Sequence, residues 1–156
     1  MGSIYILTGE IKSGKTTSLM KWASAKNNIG GIFQPVVNGK RFIYDISSRT
    51  LRNLEIDFKI EGIKIGKYNF DKTTFDWAQN VLLDSLSQNL DWLIIDEVGP
   101  LELEGKGLEP VISKILKEKQ PLKTKIIFVV RSAILEKFVE HYGIQNNFNL
   151  FDFPDQ

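Results

Sequence analysis

Apolar and polar positions change rhythm twice along this chain of 156 residues. Residues 3–7 form a short continuous apolar run with Thr8 leading out of it, which predicts a buried strand. Leu19, Trp22 and Ala23 then recur at helical spacing and predict a helix over about 15–27, stopped by Gly30-Gly31. From Ile32 the period shortens to two. Segments 32–37 and 40–46 flank Asn38-Gly39, a dipeptide suited to the left-handed positions of a two-residue hairpin. In the returning arm Phe42, Tyr44 and Ile46 share one face, and Arg41, Ile43 and Asp45 the other. Further strand-like segments at 54–60 and 63–68, with a turn at Glu61-Gly62, prolong the antiparallel character. From Asp71 the helical rhythm returns. Ala78, Val81, Leu82 and Leu86 mark a helix with Thr73-x-x-Asp76 as its capping box. A buried strand at 91–96 and a helix through Leu108, Val111, Ile112, Ile115 and Leu116 follow. The chain then predicts a strand at 125–130, a helix through Ile134, Leu135, Phe138, Val139 and Tyr142, and a short strand at 149–153.

Apolar strands alternating with amphipathic helices imply an α/β protein, a mostly parallel sheet covered on both faces. The Asn38-Gly39 hairpin would add an antiparallel edge. No repeat, linker or low-complexity tract divides residues 1–156, so a single domain is expected. With 42% hydrophobic and 25% charged residues the composition is that of an ordinary globular protein. The absence of cysteine excludes disulfides and thiolate metal sites and points to a reducing cytoplasm. A net charge of +1 gives no electrostatic grip for nucleic acid, and no apolar run approaches the roughly 18 residues of a membrane span. No feature identifies a protein partner.

Chemistry concentrates at two places. Gly9-Glu10-Ile11-Lys12-Ser13-Gly14-Lys15-Thr16, followed by Thr17, fits G-x-x-x-x-G-K-[ST] between a strand and a helix. Glycines there let backbone N–H groups approach phosphates, and the helix N-terminus adds partial positive charge. Lys15 would contact the β- and γ-phosphates and the Thr16 hydroxyl would ligate Mg²⁺. The second place is Trp92-Leu93-Ile94-Ile95-Asp96-Glu97, where a buried strand ends in two acids. Asp96 would hold the magnesium, and Glu97 can orient or deprotonate a water attacking the γ-phosphate. Arg131, directly after the strand at 125–130, should reach the same sheet edge and neutralise developing charge. Lys12 is a second cation of the loop; Arg41, Arg49 and Arg52 read as surface charges.

The segments LTGEIKSGKTT, GIFQPVVNGKRFIYDI, KIGKYNFD and LIIDEVGPLEL occur in that order. Together they resemble the small nucleoside-triphosphatases of the THEP type, also called cancer-related nucleoside-triphosphatases, over roughly residues 4–131. The most distinctive piece, residues 96–102, is similar to that family's D-E-[IV]-G-x-[ML]-E. The resemblance implies a three-layer α/β/α P-loop fold of the RecA-like, additional-strand type. It also implies Mg²⁺-dependent hydrolysis of ATP, GTP and other nucleoside triphosphates with loose base selectivity. Glu102 matches a family position for which a second acid near the metal and a salt-bridge partner are both open. The chain departs from the family in lacking a proline within the loop and in having Val130 where a histidine is frequent. A small-molecule or nucleotide kinase and a nucleotide-controlled switch are the alternative readings.

Overall fold

A computed structural model describes residues 4–10, 14–118 and 123–153. Five strands run parallel at its centre: β1 (Ile4–Gly9), β2 (Ile29–Phe33), β8 (Trp92–Ile95), β9 (Lys125–Arg131) and β10 (Asn149–Leu150). Their spatial order is β10-β1-β9-β8-β2. Strand β9 thus inserts between β1, which feeds the glycine-rich loop, and β8, which ends before Asp96. Past β2 the sheet turns antiparallel through β4 (Lys40–Asp45), with β3 (Val36–Val37) and β5 (Thr50–Asn53) paired to it. A separate ribbon joins β6 (Ile63–Ile65) to β7 (Tyr68–Phe70).

Because side chains alternate across a strand, each central strand feeds two cores. On one face Leu7, Ile94, Ile127 and Val129 pack against Leu19, Trp22 and Ala23 of α1 (Lys15–Ser24). On the other, Ile6, Ile95, Phe128 and Val130 meet α2 (Lys72–Ser85), α4 (Val111–Lys117) and α5 (Leu135–His141). The short α3 (Pro100–Leu103) follows the Asp96-Glu97 corner. The expected helices, the strands of the parallel core and the edge hairpin are present, and the hairpin turns at Asn38 (φ 52°) and Gly39 (φ 77°) with Val37 opposite Lys40.

Several boundaries differ for identifiable reasons. Gly30-Gly31 does not stop a helix; both lie inside β2, and a Cβ at Gly31 would sit 2.0 Å from the Ile94 carbonyl oxygen. These glycines let β2 approach its neighbours closely. Segment 54–60 is not a strand: β5 precedes it, and only Glu55 bridges, to Phe70. The turn of the second ribbon is at Gly66-Lys67, not Glu61-Gly62, since Ile65 pairs with Tyr68. Helix α2 is capped by Asp71, whose carboxylate accepts from the Thr73 amide at 2.9 Å, while Asp76 pairs with Lys72 one turn away. Asp71 therefore replaces the expected Thr73-Asp76 box, because its side chain sits one residue before the first helical N–H groups.

Candidate active site

Every parallel strand delivers its C-terminal end to one edge of the sheet, where open α/β sheets bind ligands. Gly9, Gln34, Asp96 and Arg131 end or follow β1, β2, β8 and β9 there, and Gly9 lies directly beside Arg131. Gly14 takes φ 80°, a left-handed value that favours glycine, and opens α1. Among the described residues no side chain caps that helix, and Lys15, Thr16 and Thr17 of its first turn line the cleft. Lys15 Nζ donates to the carbonyls of Gly9 (3.3 Å) and Glu10 (2.8 Å), which holds its ammonium over the loop. Glu10 is exposed. Ile11, Lys12 and Ser13 lie outside the described residues.

Across the cleft Asp96 is fully buried. Its Oδ2 accepts from the Thr16 hydroxyl at 2.8 Å and the Gln34 backbone N–H at 2.9 Å. Gln34 also donates its side-chain amide to the Asp96 carbonyl at 3.2 Å. Asp96 Oδ1 is buried with no hydrogen-bond partner among the described residues. Burial pushes this carboxyl up to about 6, against the opposing pull of the Gln34 amide and Thr16 hydroxyl. A buried, partly unpartnered carboxylate beside a threonine hydroxyl is a hard-oxygen donor pair, the kind Mg²⁺ takes together with water and phosphate oxygens. Among the described residues no group of three or more His, Cys, Asp or Glu offers an all-protein cage.

Glu97 takes φ 56°, uncommon for a residue with a Cβ. That left-handed step returns Val98 to the core, where its N–H donates to the Val129 carbonyl at 3.0 Å, and leaves Glu97 on the cleft wall. Two arginines bracket it: Arg131 Nε at 3.6 Å from Oε2 and Arg41 Nη1 at 3.7 Å from Oε1. The reading of Arg41 as a surface charge is therefore corrected, for its side chain is only 13% exposed. Antiparallel pairing carries the start of β4 back to the ends of the parallel strands, placing Arg41 opposite Val36. Arg52 instead stacks on Trp77, and Arg49 sits in a left-handed turn. Gln34 was also missed. The alternation of Arg41 with buried Ile43 and Asp45 was a usable signal for the first; only the strand-end position after Phe33 could have flagged the second.

Glu102 is 3% exposed and binds backbone amides. Its two oxygens accept from the Gly99 N–H (2.8 Å) and the Leu108 N–H (2.9 Å), closing the loop around α3. Burial pushes its pKa up to about 7 despite those two donors.

Central parallel strands with an added strand between loop and acid, and helices on both faces, define a three-layer P-loop NTPase architecture. The sequence profile of the family described as NTPase matches residues 4–154. Nucleoside-triphosphatase THEP1 of Saccharolobus solfataricus is 30% identical over 125 residues, 74% of this chain and 71% of that protein. The Methanothermobacter thermautotrophicus protein of the same name is 28% identical over 120 residues, covering 71% and 68%. The crystal structure of THEP1 from Aquifex aeolicus superposes with a TM-score of 0.75 at 19% identity, over 96% of this chain and 88% of that one. A human cancer-related nucleoside triphosphatase gives 0.70 at 21%, covering 99% and 90%. The chain belongs to the THEP1 family of nucleoside-triphosphatases.

Proposed function

We propose that this protein hydrolyses nucleoside triphosphates to diphosphate and phosphate, with Glu97 directing water at the γ-phosphoryl group. The observation that carries the reading is the position of Glu97, on the wall of the same cleft as Lys15 and Thr16, held between two arginines. Backbone N–H groups of the 9–16 loop and α1 would bind the phosphates, with Lys15 spanning the β and γ groups. Thr16 and Asp96 would hold Mg²⁺, which neutralises phosphate charge when bound. Asp96 is fixed for that task by Thr16 and Gln34. Arg41 and Arg131 orient Glu97 and lie where charge develops on the transferring group. Met20, one helical turn beyond Thr16, joins Pro35 and Val36 in an apolar wall of the cleft. A base resting on such a wall is held by area rather than paired polar groups, which fits use of ATP, GTP and other nucleotides.

The test is phosphate release from ATP, GTP, CTP and UTP with Mg²⁺, comparing wild type, Glu97→Gln and Lys15→Ala. The expected result is release from several nucleotides, abolished in both variants, with nucleotide binding kept in Glu97→Gln and lost in Lys15→Ala. Tight binding without release from any nucleotide would sink the reading.

A further inference from the structure

The cleft does not end at Glu97. A second cavity of about 380 Å³ opens beyond it. Gln34, Arg41, Tyr68, Glu97 and Arg131 line both spaces. Phe70, Phe75 and Leu101 line only the second, while Met20, Pro35 and Val36 line only the first. The two ends thus differ in composition, and Glu97 stands at their junction. An attacking water needs only about 30 Å³, whereas small-molecule sites begin near about 300 Å³. The far cavity is therefore an order of magnitude larger than hydrolysis requires.

Its walls are built rather than incidental. Tyr68 and Phe70 stack with ring centroids 5.7 Å apart and planes 9° from parallel, and Phe70 meets Phe75 edge-on at 5.9 Å. Opposite them, the α3 loop is tied down by Glu102 through the Gly99 and Leu108 amides. Arg41, Lys67 and Arg131 outnumber Glu97 and Glu102 on its lining, which favours a phosphoryl group passing there.

We propose that this cavity is a second substrate site, taking a small planar molecule with a hydroxyl group as acceptor for the terminal phosphoryl. The inference rests on the reading that Glu97 faces the γ-phosphoryl. In the transfer, the acceptor oxygen forms a bond to the γ-phosphorus as the bond to the β,γ-bridging oxygen breaks. The electron pair leaves with the nucleoside diphosphate, and the acceptor's hydroxyl proton passes to the Glu97 carboxylate. The products are a phosphate monoester and the diphosphate. Tyr68, the partly exposed member of the aromatic cluster, supplies stacking surface for the planar body with buried Phe70 and Phe75 packed behind it, and the acceptor displaces the water that would otherwise react.

The experiment incubates the protein with Mg²⁺ and ATP labelled in its terminal phosphoryl group, alone and with the common ribonucleosides, benzyl alcohol or pyridoxine as probes. Labelled ester and labelled inorganic phosphate are separated and counted. Ile65, on the cavity wall and outside the catalytic groups, is replaced by Trp to fill the space. At least one probe is expected to yield labelled ester, reduced about ten-fold or more in Ile65→Trp while acceptor-free phosphate release stays within about two-fold. Ile65→Phe, a smaller fill, serves if the Trp variant does not fold. Normal phosphate release with no ester from any probe overturns the inference and leaves hydrolysis standing. Ester formation indifferent to both fillings overturns the assignment to this cavity. Ester without acceptor-free release upholds the inference and sinks the hydrolysis reading; neither product sinks both.

Discussion

The parallel half of the sheet and its antiparallel extension reach the same cleft with different kinds of group. From the parallel half come the loop glycines, Lys15, Thr16, Asp96, Glu97 and Arg131, each at a strand end or at the start of α1. The extension and the ribbon beside it contribute Arg41, Lys67 and Tyr68, on elements that cross back over that edge. On the proposed reading the first set would hold the phosphates and a metal. The second set encloses Glu97 and shapes what lies beyond it. On that reading phosphate binding is a property of strand ends, whereas the surroundings of Glu97 depend on how the extension folds back.

The strongest test of this division is at their junction. Glu97→Gln keeps the side-chain shape but removes the base, and kcat should fall about 10³-fold with little change in nucleotide affinity. Steady-state kinetics beside equilibrium titration separates the two. A comparable loss of affinity would place Glu97 in phosphate binding and erase the distinction between the halves.

Next come the two arginines. Arg131→Ala and Arg41→Ala should each lower kcat by about 10²-fold, the scale for removing one charge-stabilising donor. The double variant should lose less than the product of the two, since both hold one carboxylate. If Arg41→Ala is silent, the antiparallel extension is scaffold alone.

A smaller effect reads the cost of the buried Asp96 charge in the parallel half. The Asp96 carboxyl is raised from 3.8 to about 6 by burial. A raised folded value means its contribution to stability is complete below about 3.8 and lost as pH rises through about 6. At pH 8 the buried charge costs up to about 3 kcal/mol in the metal-free protein. Asp96→Asn retains an acceptor for Thr16 and Gln34 and removes that charge. Thermal melts without Mg²⁺ should show the variant more stable than wild type at pH 8, with the gain shrinking steadily towards pH 4. Its Mg²⁺-dependent activity should vanish. A gain independent of pH would show that something other than the charge strains this position.

These differences also explain what was legible beforehand. The loop and the Asp96-Glu97 pair are each a contiguous stretch of sequence, and their strand context is announced by unbroken apolar runs. The alternation of strands and helices likewise gave the layered architecture. Arg41 and Gln34 reach the cleft only through pairing between distant segments: Gln34 is 62 residues from the Asp96 it holds. Spacing along the chain carries no record of that distance. Glu102 was ambiguous because a carboxylate near a metal and one capping amides look alike until Leu108 is seen folded onto it. Gly30-Gly31 misled because close approach of β2 to β8 and helix termination ask for the same residue.

The mildest perturbation asks whether the hairpin turn itself sets Arg41. Gly39 holds φ 77°, and among the described residues no atom beyond its chain neighbours lies within 4 Å of where its Cβ would be. Gly39→Ala therefore costs only the left-handed conformation, about 1 kcal/mol, with no steric clash. For a chain of this size that lowers Tm by about 3 °C. Provided Val37 still pairs with Lys40, Arg41 remains opposite Val36 and kcat should change less than about two-fold. A fall in kcat as large as that of Arg41→Ala would mean the turn had slipped. A one-residue slip would carry Arg41 to the other face of β4, away from Glu97. The antiparallel extension would then act through register rather than through bulk.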